Sequence, residues 1–516
     1  MARYVQAGTM MGRTFSDTLR GRAREDSYRT AILDHDITVT YRDLDAATDA
    51  LAAKLIDSGV QRGDRVLLMA DNSAAHLAAA FGVWRVGAVL TTLYASSSTA
   101  EIAYALSHSE ASLILADQRS QGAIGGAAHG LPILTVSNDD FRGVPARTES
   151  LLPVEVDVDP EALALICYTS GSTAAPKAVM HSHAGLQGAA ESYASVWHLG
   201  PADRTVVCLP MAWAFGLVTT SMATMVAGGT VIVLSRTKPE LILDALNRLR
   251  GTFLAGVTTM FVKLVDHLAE RGTLPLPDLR LCISGGEPRN EHAFARWVDL
   301  TGCPVHDVYA ASECFPAVTY DPYEDPLPVP GSSGKVAPGS QMKVLDPDGK
   351  EVDPGATGEA LWKGPAQLLG YWKNPEQTRK ALTDDGWYRT GDLVRVDSRG
   401  YVFVVGRLSD MIIRGGSNIS PAEVEAVLTS HPSVRSAAVV GLPDEKYGEL
   451  VAAALVMQRG LSMDADEMKG FCAARLAGYK VPGTFVAVES LPVNSRTGKV
   501  DRKQLKVELQ TTGAAA

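Results

Sequence analysis

The stretch Tyr168-Thr-Ser-Gly-Ser-Thr-Ala-Ala-Pro-Lys177 is the one from which the rest of the chain is read. It is crowded with hydroxyls, contains Gly171, closes on a lysine and follows the apolar, strand-like run 162–167. Backbone N–H groups freed by Gly171, the hydroxyls of Thr169, Ser170, Ser172 and Thr173, and the ammonium of Lys177 make a set that converges well on phosphate oxygens. The segment is not a Walker loop, because Ala178 follows the lysine where a magnesium-binding hydroxyl would stand. A plain Ser/Thr/Gly surface loop between strands is the competing reading.

Around this loop the chain alternates. Between about 40 and 320, β-rich runs at 65–69, 88–93, 112–116, 206–209, 230–234 and 279–284 are separated by helix-like segments such as 239–250, where Pro239 suits the first helical turn. Such alternation implies an α/β fold with mostly parallel sheets covered by helices, here two subdomains over about 1–320. From 321 to 406 the texture turns to strands punctuated by glycine and proline, with Asp346-Pro-Asp-Gly349 as a turn, which fits a small β-barrel or a distorted sheet. Beyond 407 an α+β C-terminal domain is expected to 516, with the boundary inside 406–416. Its first helix should be capped by Ser420, with Pro421 at N1 and Glu423 completing a capping box.

The chain has 516 residues, enough for roughly three domain-sized units. With 46% hydrophobic and 21% charged residues it has the makings of a sizeable core. A formal charge of −10 argues against non-specific binding to nucleic acid or an anionic membrane, so an anionic substrate must be met by individual cations. Six cysteines lie scattered without a Cys-x-x-Cys pair, which points to buried free thiols and a reducing, cytoplasmic setting. The stretch 205–235 carries no charge, yet Pro210, Gly216, Gly228 and Gly229 interrupt it. It is expected to be a buried strand–helix–strand unit and not a membrane span.

Four more motifs follow the loop in order: Gly285-Gly-Glu-Pro288, Tyr309-Ala-Ala-Ser-Glu313, Tyr388-Arg-Thr-Gly-Asp392 with Gly406-Arg-Leu-Ser-Asp410, and Pro492-Val-Asn-Ser-Arg-Thr-Gly-Lys499. In this combination the chain resembles, from about 15 to 506, the AMP-forming adenylating enzymes: acyl-CoA and aryl-CoA synthetases, adenylation domains and luciferase. The resemblance implies ATP, Mg²⁺ and coenzyme A as cofactors and a small carboxylic acid as substrate. It makes Thr169, Ser170, Gly171, Ser172, Thr173 and Lys177 a mobile phosphate loop, and Glu313 the Mg²⁺-associated carboxylate with Ser312 beside the α-phosphate. Tyr309 would stack on adenine, with Glu287, Pro288 and Asp307 around the base, while Asp392 and Arg407 would hold the ribose. Lys499 would bridge the attacking carboxylate and the α-phosphate. Asp410 would be the hinge of a mobile C-terminal domain that exchanges Lys499 for a tunnel lined by Arg414, Gly415 and Gly416.

The chain also departs from that pattern. Ala174 and Ala178 replace loop glycines, which should stiffen the loop, and Ala310 replaces a glycine on the floor of the acyl slot. Ser409 stands where a lysine is common. The acyl pocket is expected from Trp213, Phe215, Met260, Ala310, Ala311, Cys314 and Phe315, a wall suited to an aromatic or short-to-medium apolar acid. His183 and His306 are read as structural. Three alternatives remain open at this level: an acceptor other than CoA (a separate carrier-protein thiol or an amine), activation of an oxyacid such as nitrite, or a nucleotide-binding protein without turnover. A monomer or homodimer is expected.

Overall fold

The computed structural model describes residues 13–513 apart from 36, 129, 142–153, 155, 170–175, 273, 288 and 494–499. Two large sheets form its bulk. The first has ten strands, and six of them run parallel in the order Val305–Ala311, Leu281–Gly285, Phe253–Gly256, Arg204–Val207, Thr230–Val233, Thr30–Asp34. Antiparallel strands finish both edges, Cys314–Thr319 and Lys335–Val336 on one side and Ile37–Thr40 on the other. The second sheet has seven strands, with Leu163–Thr169, Val89–Thr92, Arg65–Met69, Ala111–Ala116 and Ile133–Thr135 parallel. Lys177–Ser182 and then Gly370–Tyr371 extend its edge in antiparallel fashion. The interior strands read as unbroken apolar runs because helices cover both faces; Val89–Thr92 and Thr230–Val233 are buried at every residue.

The uncharged stretch 205–235 is a strand–helix–strand unit as expected, and its helix is wound wide. Phe215–Met222 is a π-helix that continues into the α-helix Ala223–Val226. Carbonyls displaced by the wide winding are met from inside the helix: Thr220 Oγ1 donates to Gly216 O (2.7 Å), as does Ser221 Oγ (2.7 Å). Gly216 is required here, since a Cβ at that position would lie 2.3 Å from the Pro210 carbonyl oxygen. Among the described residues no helix is long and apolar enough to cross a membrane.

The region after 321 forms the distorted sheet, not a closed barrel. Four antiparallel strands lie in the order Gln341–Leu345, Thr357–Lys363, Tyr388–Val396, Val402–Arg407, with register shifts in two of the three pairings. Beyond it, Ser417–Ile419, Ile412–Arg414, Gly448–Met457 and Val434–Asp444 build a further sheet, with Thr484–Ala487 parallel to Gly448–Met457. Helices Pro421–Thr429 and Ala465–Ala473 share one core with it, whereas Leu505 and Leu509 of the helix Arg502–Gly513 belong to another. Ser420 caps the first of these helices and Pro421 starts it, but only half of the capping box forms. The Glu423 carboxylate is drawn off by Lys480 Nζ (2.6 and 2.7 Å). All six cysteines are free and buried.

Candidate active site

The phosphate-loop segment joins two adjacent antiparallel strands, so its ends are held together by sheet pairing: Thr169 lies opposite Lys177 in register. Ser170, Gly171, Ser172, Thr173 and Ala174 lie outside the described residues, as do Pro288 and Lys499. Ala178 lies in the strand that follows the segment. It is a buried strand residue packed with Val89 and Ile166, a place that needs no special backbone freedom and where a methyl adds contact.

Ser312 and Glu313 occupy the two-residue tip of the hairpin between Val305–Ala311 and Cys314–Thr319, with Ala311 paired to Cys314. Ala310 sits where that pairing shifts register. The tip is tied from several sides. Leu368 N donates to the Glu313 carbonyl (2.9 Å), and Tyr371 Oη donates to Glu313 Oε1 (3.0 Å). His181 Nε2 lies 2.7 Å from the Ser312 carbonyl. Lys177 Nζ stands over the Tyr371 ring, 5.2 Å from its centroid. One aromatic residue therefore links the lysine of the loop to the carboxylate of the hairpin tip. Burial, and then the Glu313 charge, raise the Tyr371 phenol far above its ordinary range, so it stays a donor.

On the same hairpin, Tyr309 Oη donates to Asp392 Oδ2 (2.5 Å). Asp392 and Arg407 are cross-strand neighbours in the four-stranded sheet, and Arg407 Nε lies 3.0 Å from Asp392 Oδ1. Asp392 is buried while the Arg407 side chain is mostly exposed, so a sequestered carboxylate is paired with a cation that reaches solvent. Residues from three separated motifs meet here.

Other expected site residues have partners of their own. Glu287 accepts from Thr259 N (2.8 Å) and Thr259 Oγ1 (3.2 Å) at the start of the helix Thr258–Arg271. Asp307 is buried and paired with Arg289 (3.1 Å). Trp213 and Phe215 meet edge to face at 5.3 Å, and Trp213, Ala310 and Ala311 flank the same core. Met260 belongs to a different core, with its sulfur 3.4 Å from Cys208 Sγ. Cys314 and Phe315 are buried within the main core, and Phe315 packs on His181 at 5.1 Å.

Gly415 and Gly416, both at positive φ (58° and 81°), make the two-residue turn of the hairpin from Ile412–Arg414 to Ser417–Ile419, a conformation that favours glycine. Arg414 is fastened to the Tyr479 carbonyl (2.7 Å) and covers the Tyr447 ring. Asp410 is exposed, 3.8 Å from Arg502. The loop holding Lys499 is closed at its base by a bridge between Val493 and Val500. His183 and His306 are buried in the core, as the structural reading held. Sequence reasoning passed over His181 and Tyr371; the pairing of Gly370–Tyr371 with Lys177–Ser182 brings both to the tip, and no local motif announces it.

Residues 19–372 match the family model of the AMP-binding enzyme, and 423–499 that of the AMP-binding enzyme C-terminal domain. A feruloyl-CoA synthase from Amycolatopsis sp. is 33% identical over 94% of this chain and 97% of its own length. The ATP-bound MatB of Rhodopseudomonas palustris superposes with a TM-score of 0.87 at 29% identity, covering 96% of this chain and 99% of that one. The anthranilate CoA ligase AuaEII in complex with anthranoyl-AMP gives 0.88 at 26%, covering 98% and 99%.

Proposed function

Because the chain belongs to the AMP-binding enzyme family, we propose that it activates a small carboxylic acid with an apolar side group, using ATP, and passes the acyl group to coenzyme A. The observation that carries this reading is the convergence of Tyr309, Asp392 and Arg407 on one side of a hairpin whose tip presents Glu313 beside Tyr371 and Lys177. In the first step an oxygen of the substrate carboxylate attacks the α-phosphorus of ATP. The bond to the β-phosphate bridge oxygen breaks and pyrophosphate leaves. In the second step a thiol sulfur attacks the acyl carbon, losing its proton, and AMP leaves with the carboxyl oxygen.

Both reacting partners of the first step are anions, so the site's work is neutralisation and alignment. Lys177 and the hydroxyls of the loop would hold the outer phosphates, and Lys499 would bridge the incoming carboxylate and the α-phosphate. Asp392, already an acceptor for two donors, suits the two hydroxyls of a ribose, and Tyr309 would stack on the base. Glu313 offers a carboxylate at an accessible hairpin tip, a hard oxygen ligand fitting Mg²⁺. Such a cation would be shared between that carboxylate and phosphate oxygens. When bound, the ion supplies charge neutralisation on those oxygens.

Trp213, Phe215, Ala310 and Ala311 would form an apolar wall for the acid; the edge-to-face contact of Trp213 with Phe215 supports an aromatic or short apolar acid. Free CoA in the cytoplasm, and not a carrier protein, is the acceptor of this reading, with 1–406 as the adenylating body and 407–516 rotating about Asp410. Exchange of labelled pyrophosphate into ATP, screened over aromatic, aliphatic and dicarboxylic acids, tests the first step. CoA-dependent AMP release tests the second. Exchange without CoA consumption would transfer the second step to another nucleophile.

A further inference from the structure

His181 is a costly residue where it stands. Its ring is wholly buried, and burial lowers it to about 4, so it is neutral at working pH. A carbonyl oxygen can only accept, so the 2.7 Å contact with Ser312 O assigns the proton to Nε2. Nδ1 is then a lone-pair acceptor, and it is buried with no hydrogen-bond partner. An apolar residue would avoid that penalty. The single satisfied bond is directed at the peptide joining Ser312 to Glu313, and that peptide's orientation sets the direction of the Glu313 Cα–Cβ bond.

The surroundings make this contact a fixture. Strand alternation puts Lys177, Val179 and His181 on one face of Lys177–Ser182, so one rigid strand meets the tip through His181 and the Tyr371 ring through Lys177. Phe315, on the strand leaving the tip, packs edge to face against the imidazole and fixes its plane. The next carbonyl, that of Glu313, is held by Leu368 N. We infer that His181 is a positioning residue, which fixes the Ser312–Glu313 peptide through Nε2–H and thereby aims the Glu313 carboxylate and holds its distance from Lys177. This rests on the reading of Glu313 as the carboxylate that acts with Mg²⁺.

The test compares His181→Met, which lacks the donor, with His181→Gln, which can restore an N–H, in pyrophosphate exchange across a Mg²⁺ titration; His181→Phe replaces the Met variant should that fail to fold. Thermal midpoints are followed throughout. The donor-free variant should lose ten-fold or more in kcat and need several-fold more Mg²⁺, with the KM for the acid unchanged, and the Gln variant should recover most of both. Wild-type kcat and Mg²⁺ dependence in the donor-free variant would overturn the inference. So would equal losses in the donor-free and Gln variants, which would reduce the ring to packing. Glu313→Gln is measured alongside: if it keeps full activity, the underlying reading fails, whereas an inactive Glu313→Gln beside a normal His181→Met sinks the positioning role alone.

Discussion

Asp392 shows how much rests on single side chains. It is buried and takes a hydrogen bond from Tyr309 and an ion pair from Arg407, so its charge is compensated before any nucleotide arrives. Asp392→Asn should keep the fold and lose about 2 kcal/mol of interaction with ionic and hydroxyl donors, roughly 30-fold in kcat/KM for ATP. Steady-state kinetics at varied ATP will read it. Lys499→Ala should abolish adenylation while leaving thioester formation from supplied acyl-adenylate largely intact; equal loss of both half-reactions would refute the two-conformation scheme. Of the expected site residues, Tyr309, Asp392, Arg407, Glu313 and Lys177 were legible because each sits in a motif whose chemistry is local. Their mutual contacts were not legible. Tyr309 and Asp392 are 83 positions apart, and only the placement of the four-stranded sheet beside the hairpin joins them. Nor was the bond of the Glu287 carboxylate to Thr259 N legible, since no nearby residue signals that helix start.

Elements were read well where burial alone determined them. The parallel strands are apolar on both faces, and their bounds moved by only a residue or two from the sequence expectation; Leu281–Gly285 stands where 279–284 was read. The π-helix escaped notice because a uniformly apolar segment has no periodicity to distinguish 3.6 from wider winding. Ala178 carries the opposite lesson: next to a segment rich in hydroxyls it belongs to the strand Lys177–Ser182 and is placed by burial. The π-helix also offers a test of its own. Gly216→Ala forces a methyl to within 2.3 Å of the Pro210 carbonyl oxygen, against backbone that cannot step aside. The variant should lose about 2–3 kcal/mol in stability, and Phe215 should shift with it, raising the KM for the acid more than that for ATP. Thermal melting and acid titration decide this. An unchanged midpoint would mean that the helix start is free to rewind.

For the whole molecule, burial of histidines makes stability fall in acid, and three of them are lowered furthest. His76, His181 and His183 are each lowered to about 4 by burial, against an unfolded value of 6.5. The unfolded chain therefore binds these protons first. The stability these three rings contribute is complete above pH 6.5 and falls as pH drops toward 4, by about 3 kcal/mol per histidine at the end of that window. Urea midpoints at pH 7, 6 and 5 should decline steadily, and a flat profile would contradict burial in the neutral form. Asp410→Pro should freeze the present backbone at that position and leave one half-reaction running while the other stops; retention of both would move the hinge elsewhere.

The ion pair between Arg435, in the C-terminal sheet, and Asp266, on the helix Thr258–Arg271, has side chains about half open to water, at 51% and 48%. A fastening of that kind contributes under about 1 kcal/mol and weakens as salt rises. One tie of the tail is thus a slipknot, and if the C-terminal part rotates as proposed, ionic strength becomes a lever on how readily the enzyme passes from its first reaction to its second.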